Sequence, residues 1–399
     1  MKHVRSASQL MFPVALVAVL FGIFFFGSRG ADVSAAADEI VETCARESSR
    51  EACYEREVPA RYGDFSVKEL FDVIHIIRSR DSSYQFCHVL AHKIGERAVE
   101  ESPEDWLSLI PLNPADGLCS NGFIHGVIVG RFRDDVFDEA MMRATIPDFR
   151  IACEPHDGWN PSPLDQAICY HGMGHLFMFL TDADYRRALD ACAAIEKSPT
   201  GDFGQVCREG VFMQTYQPLE PDDFDLVALL PEEPKRENYR RICAKFTRDE
   251  EEGACLREAW PLHREEILTG GISAFCEGNP PSQIDKCYDT AFAIIGRQSQ
   301  SRDKASQITT ACGGAPRERQ GLCFGIAAVA FIEENRRAVS EAAGVCTNAP
   351  DHAKARCYNT LIERVNFVYG SDEVGKRSLC DALPESEAVS CRATIPGAR

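Results

Sequence analysis

The stretch AVSEAAGVCTNAPDHAKARC, residues 338–357, contains a rule that the second half of the chain repeats. A short amphipathic run ends in Cys346, a small turn follows, and Pro350 precedes Cys357 by seven residues. Proline is tolerated in the first turn of a helix, where its missing N–H removes no hydrogen bond. Pro350 therefore marks the start of a second helix with Cys357 about two turns in. The predicted unit is a helical hairpin with one disulfide staple, and closing a loop of that size contributes about 2–3 kcal/mol per bridge.

Outward from this unit, the same spacing recurs at Cys243/Cys255, Cys276/Cys287, Cys312/Cys323 and Cys380/Cys391, with first members 33 to 36 residues apart. Pro281, Pro316 and Pro384 stand where Pro350 stands. A fixed period of this length is an internal repeat. Extended backward, the rule pairs Cys192 with Cys207 and Cys153 with Cys169, with Pro163 six residues before the second cysteine. Cys44/Cys53 forms a shorter pair, and Cys87 and Cys119 are left to each other by elimination.

Paired helices at this period are similar to tetratricopeptide and Sel1-like repeats, including the cysteine-rich Sel1-like proteins of exported bacterial type. The resemblance covers about residues 140–399 and rests on period, helix pairing and cysteines; the tetratricopeptide signature of Trp, Gly, Tyr and Pro is absent. It implies a curved solenoid with a concave binding side. The expected fold is all-α, an α-solenoid of disulfide-stapled helical hairpins behind an N-terminal signal anchor.

The anchor is read from Leu10 to Gly27, an uncharged apolar run of 18 residues behind Lys2 and Arg5. As a helix it reaches roughly 27 Å, close to the hydrocarbon thickness of a bilayer. The basic flank keeps the start inside and exports the rest. Bulky Phe24, Phe25 and Phe26 at its end favour an uncleaved anchor over a signal peptide. Eighteen cysteines in an exported chain, none in a CxxC motif, read as disulfides. The net charge of −18 repels phosphate backbones, so nucleic acid is not an expected partner. The chain divides into the anchor (1–30), a linker and helical cap (31–81), histidine-bearing repeats (82–216), an acidic Pro-rich insertion (217–240) and Cys-paired repeats (241–399).

Aligning the second helices on their cysteines sets CSNGFIHG (119–126), CYHGMGHL (169–176) and CREGVFMQ (207–214) in register. Asn121, His171 and Glu209 then share one position, His125, His175 and Met213 another, one helical turn further on the same face. Stacked repeats bring matching positions side by side. Upstream, CHVLAHKIGERA (87–98) carries His88 and His92 at the same four-residue separation, with Glu96 a turn beyond. Gly122, Gly172 and Gly210 recur three residues after their cysteines. Glycine in a helix costs about 1 kcal/mol relative to alanine, so its recurrence implies close approach by a backbone or a ligand. After Cys255 the matching places hold Arg257 and Pro261, Asp289 and Ala293, and the donor pattern ends.

Neutral imidazoles converging from one face suit a metal ion. The expected ligands are His88, His92, His125, His171 and His175, with Glu96 or Glu209 as proton acceptor. The expected cofactor is a divalent metal, copper or zinc ahead of iron, with Met173 or Met213 favouring copper if they face inward. HExxH fails because Val89 and Gly172 follow the first histidines; GxSxG, GxGxxG and GxxxxGK[ST] are absent. His156 and Asp157 lie on a Pro/Gly loop that could cover the site. QPLEPDDFDLVALLPEEPK (217–235) reads as a lid or a surface insertion. The sequence thus supports a metal enzyme activating water or dioxygen. Its rival is a non-enzymatic solenoid that binds an envelope protein or peptide on the C-terminal repeats, its histidines structural or metal-storing.

Overall fold

Each cysteine pair closes a hairpin of two helices, and all eighteen cysteines are joined in nine disulfides. A computed structural model describes residues 29–395 apart from 82, 85–86, 133–136, 157, 196 and 300–303. Among these residues the regular elements are helical, and the only β pairings are isolated bridges. The apolar run 10–27 lies outside the described residues; no described helix is long and apolar enough to cross a membrane.

The described residues form two compact units that divide at Cys87. In the first, α1 (Arg29–Cys44), α2 (Arg50–Glu57) and α3 (Val67–Arg80) pack together, with Cys44 and Cys53 bridging α1 to α2. Ser66 and Glu69 form a capping box that starts α3.

The second unit begins with α4 (His88–Glu101) and α5 (Gly122–Phe132), tied through Cys87–Cys119. Cys119 precedes α5 in a tight turn where Cys119, Ser120 and Asn121 all have positive φ. Asn121 therefore leaves the helical face on which the register placed it, and bonds Asn113 at 2.6 Å and Asp165 at 3.2 Å instead. The stapled hairpins follow: α6 (Glu139–Cys153) with α7 (Pro163–Leu180), and α8 (Tyr185–Ile195) with α9 (Gly204–Tyr216). The insertion contributes α10 (Pro221–Ala228). Then come α11 (Tyr239–Cys243) with α12 (Asp249–Ala259), α13 (Ile272–Glu277) with α14 (Ile284–Gln298), and α15 (Lys304–Gly313) with α16 (Arg317–Glu334). The chain closes with α17 (Val339–Asn348) and α18 (Asp351–Glu363), α19 (Val365–Tyr369), and α20 (Glu373–Asp381) with α21 (Glu385–Ala393). Pro163 opens α7, while Pro316, Pro350 and Pro384 sit at the N-caps of α16, α18 and α21, matching the spacing rule.

Second helices of successive hairpins lie against one another: α5 on α7, α7 on α9, α9 on α12, α14 on α16 and α16 on α18. The C-terminal repeats also meet the start of the histidine-bearing part. Arg336 donates to the Ala115 carbonyl at 2.7 Å and the Ser162 hydroxyl at 3.0 Å, and pairs with buried Asp165.

Glycines on α4, α5, α7 and α9 bring the backbones of these helices close together. A Cβ at Gly126 would lie 1.9 Å from the His92 carbonyl oxygen, and one at Gly174 would lie 2.1 Å from the Cys207 carbonyl oxygen. Gly210 faces Gly174 from the other side, its Cβ position 2.0 Å from the His171 carbonyl oxygen. No methyl group fits there without separating the helices. Gly174→Ala should lower stability by about 2–4 kcal/mol, as expected for overpacking that must move backbone. Gly344→Ala, in a helix with nothing within 4 Å of the added atom, should raise it by about 0.5–1 kcal/mol. Urea unfolding of both variants checks this; equal effects would show that close approach is not what selects Gly174.

Candidate metal centre

α4, α5 and α7 carry their histidines into one place because the glycines let them approach. His88, His92 and His125 have ring centroids 5.3 to 6.2 Å apart. His125 in turn lies 6.1 Å from His171 and 5.6 Å from His175, which are 4.9 Å from each other. The first glycine of CYHGMGHL makes room for an imidazole: a Cβ on Gly172 would meet His125 Cδ2 at 2.5 Å. Five histidines spread over 88 residues of sequence thus form one contiguous cluster.

Four of the rings spend a proton on a fixed acceptor. His88 Nδ1 donates to the Cys119 carbonyl at 3.3 Å, His125 Nε2 to the Ile168 carbonyl at 2.8 Å, and His171 Nδ1 to the Val206 carbonyl at 3.2 Å. Gln214 donates its amide to Asp223, an acceptor only, so its carbonyl oxygen faces His175 Nδ1 and takes that proton. In His125, His171 and His175 the other ring nitrogen then carries the lone pair, the arrangement that outer hydrogen bonds impose on metal-ligating histidines.

His92 differs. Its Nδ1 is buried and makes no hydrogen bond, yet it lies 3.3 Å from Glu220 Oε1 and 3.7 Å from Glu96 Oε1. Among the described residues, His92, Glu96 and Glu220 are the group of three whose ligand atoms all lie within 4.8 Å of one another. The five histidines do not share a single such point; the converging set is one imidazole and two carboxylates.

Glu220 comes from the insertion. The backbone N–H groups of Leu219 and Glu220 donate to Asp223 Oδ2 at 2.8 and 2.9 Å, and Asp223 is held by Gln214. A chain of bonds therefore runs from His175 through Gln214 and Asp223 to the Glu220 backbone. These residues, with His88, His125, Met213 and Asp222, line a cavity of about 40 Å³, room for an ion and one or two waters.

Electrostatics divides the cluster in two. Burial, then the neighbouring imidazoles, pushes His88 down to about 3 and His125 well below the usual histidine range. His171 falls well below it for the same reasons, and burial lowers His175 despite Gln214. Burial alone would also lower His92, but Glu96, Glu220 and Asp223 more than offset it and raise its pKa. Burial raises Glu220 against the pull of His92. A buried imidazole whose pKa three carboxylates raise against burial marks a place where positive charge is favoured.

Glu96 thus stands among the converging donors rather than apart as a base. Glu209 is held elsewhere: Arg257 pairs with it at 2.8 Å and Gln205 donates to it at 3.0 Å, and it does not line the cavity. Met173 is fully buried, whereas Met213 lines the cavity with Sδ 3.1 Å from His171 Nε2. His156 bonds the Glu154 and Leu107 carbonyls and is not part of the cavity wall; Asp157 lies outside the described residues. Sequence reasoning missed Glu220 and Asp223, which occupy no repeat position and reach the site only because the insertion turns back over it. Compared with protein-family models, curated proteins and solved structures, the chain matches none.

The shifts make stability depend on pH in a definite direction. For His88, His125, His171 and His175 the folded pKa lies below the unfolded value of about 6.5. Their contribution is fully present above that pH and is lost as pH falls, to about 3 for His88. His92, raised on folding, contributes below about pH 6.5 and loses its contribution as pH rises through its folded value. The urea midpoint of the metal-free protein should fall from pH 7 to pH 4. His125→Gln should flatten that fall by up to about 1.4 kcal/mol per pH unit. A slope equal to wild type would contradict the neutral buried state of His125.

Proposed function

We propose that this protein is an exported, membrane-anchored metalloenzyme in which a divalent ion on His92, Glu96 and Glu220 activates water or dioxygen. The observation that carries the reading is the buried His92 Nδ1 with no hydrogen bond, facing two carboxylates across 3.3 and 3.7 Å. Three protein ligands leave coordination positions open, as catalytic rather than structural sites do. A donor set of two oxygens and one nitrogen favours zinc or iron over copper at this point. Bound there, the ion would supply Lewis acidity.

The chain's own residues do the rest. Glu96 and Glu220 bring negative charge to balance the ion, and Asp223 fixes the backbone at Glu220. His88, His125 and His175 line the cavity, and burial lowers the pKa of all three, so that they surround the ion as neutral rings. Asp222 and Asp223 of α10 form part of the cavity wall, and a cavity of about 40 Å³ suits a substrate of a few atoms. Nine disulfides fit the oxidising exterior to which the segment 10–27 would deliver and tether the chain, and the C-terminal repeats form the stiff solenoid-like support.

Full-length protein purified without a histidine tag should carry about one equivalent of zinc or iron, or take it up on reconstitution. Glu96→Gln and Glu220→Gln should each weaken retention at least tenfold, while His352→Gln, at an exposed position of α18 far along the sequence, should leave it unchanged. No uptake by wild type, or wild-type retention by Glu220→Gln, would overturn the assignment.

A further inference from the structure

His171 and Met213 present a contradiction that a second ion resolves. His171 Nδ1 lies 3.2 Å from the Val206 carbonyl oxygen, and Nε2 lies 3.1 Å from Met213 Sδ. Both neighbours are acceptors, and a neutral imidazole has one N–H to share between them. Whichever tautomer forms, one lone pair faces another inside the protein. The carbonyl is the stronger acceptor, so the proton goes to Val206 and Nε2 faces the thioether bare.

The surroundings offer no other relief. A second proton on His171 would sit among His175 and His125, whose rings are 4.9 and 6.1 Å away. His175 has already given its Nδ1 proton to Gln214, so its Nε2 is also a lone pair. Met213 does not fill a sealed apolar core either, since it lines the cavity beside His175. Sulfur and two imidazole nitrogens, all uncharged, thus occupy one end of the cluster, and the carboxylates the other.

We propose that His171, His175 and Met213 form a second metal site, selective for a soft monovalent cation and best suited to Cu(I). Thioether and neutral imidazole donors favour Cu(I), and they lack the negative charge that a hard divalent ion would draw from Glu96 and Glu220. The protein therefore holds two unlike sites in one histidine cluster, a hard one on α4 and the insertion and a soft one on α7 and α9, which reaches the cavity wall through His175 and Met213. The soft site deepens the metalloenzyme reading but takes none of its ligands from the hard one, so either can fail alone.

The test is anaerobic titration of the full-length protein with Cu(I) against a chromophoric cuprous chelator, with copper-edge X-ray absorption of the loaded protein. Wild type should take up one Cu(I) with a sulfur neighbour. Met213→Leu, which conserves side-chain volume, should lose the sulfur signal and bind at least tenfold more weakly. Glu220→Gln should bind Cu(I) as wild type does while losing zinc or iron. No uptake by wild type, a copper shell without sulfur, or unchanged affinity in Met213→Leu would overturn the soft site. Failure of the wild-type protein to bind zinc or iron, with its Cu(I) uptake intact, would count against the hard site alone. If Met213→Leu does not fold, the sulfur neighbour in the wild-type spectrum decides.

Discussion

Backbone-to-backbone approach between helices that carry histidines is the constraint from which the rest of the structure follows. Where α4 crosses α5 and where α7 crosses α9, glycines allow carbonyl oxygens to sit where a methyl group would otherwise be. Ordinary helix pairs with larger side chains between them stand 8–10 Å apart. At that spacing, imidazoles projecting from different helices would be separated by their own packing. Here the separation is small enough for five rings to touch in a chain of contacts from His88 to His171. The glycines cost helix propensity, and disulfides at the starts of these helices offset that cost by limiting the freedom of the unfolded chain.

Once the rings are together, hydrogen bonding and charge decide what they can do. A cluster of neutral imidazoles without anions would be a polar seam. The insertion changes its character by adding Glu220 and Asp223 to Glu96, so that the pKa of His92 is raised while burial lowers those of His88 and His125. Charge is therefore graded along the cavity, from carboxylates at one end to a thioether at the other. The backbone carbonyls of Cys119, Ile168 and Val206, together with Gln214, fix which ring nitrogen remains available.

Much of the fold was legible because disulfide spacing is a local property. A cysteine, a turn, a proline and a second cysteine about two helical turns on describe a hairpin without reference to anything distant, and all nine inferred pairs are present. The clustering of His88, His92, His125, His171 and His175 was legible through repeat register. What escaped was non-local or conformational. Glu220 follows a proline-rich break and reaches the site by the return of a loop, which leaves no periodic signal. Asn121 seemed to continue a helical face, but the left-handed turn at Cys119–Asn121 diverts it. Gly174 has no counterpart at the same distance from a cysteine, but Gly95, three residues after His92 as Gly174 is three after His171, makes the same close approach to the next helix beside Gly126.

The central claim is that the convergence of His92, Glu96 and Glu220 exists to hold a cation. Anomalous X-ray scattering from crystals of untagged protein, recorded on either side of the zinc and iron absorption edges, tests it most directly. The account predicts a peak bonded to His92 Nδ1 and to a carboxylate oxygen of each glutamate. A cavity containing only water, with His92 hydrogen-bonded to a glutamate as an ordinary ion pair, would contradict it.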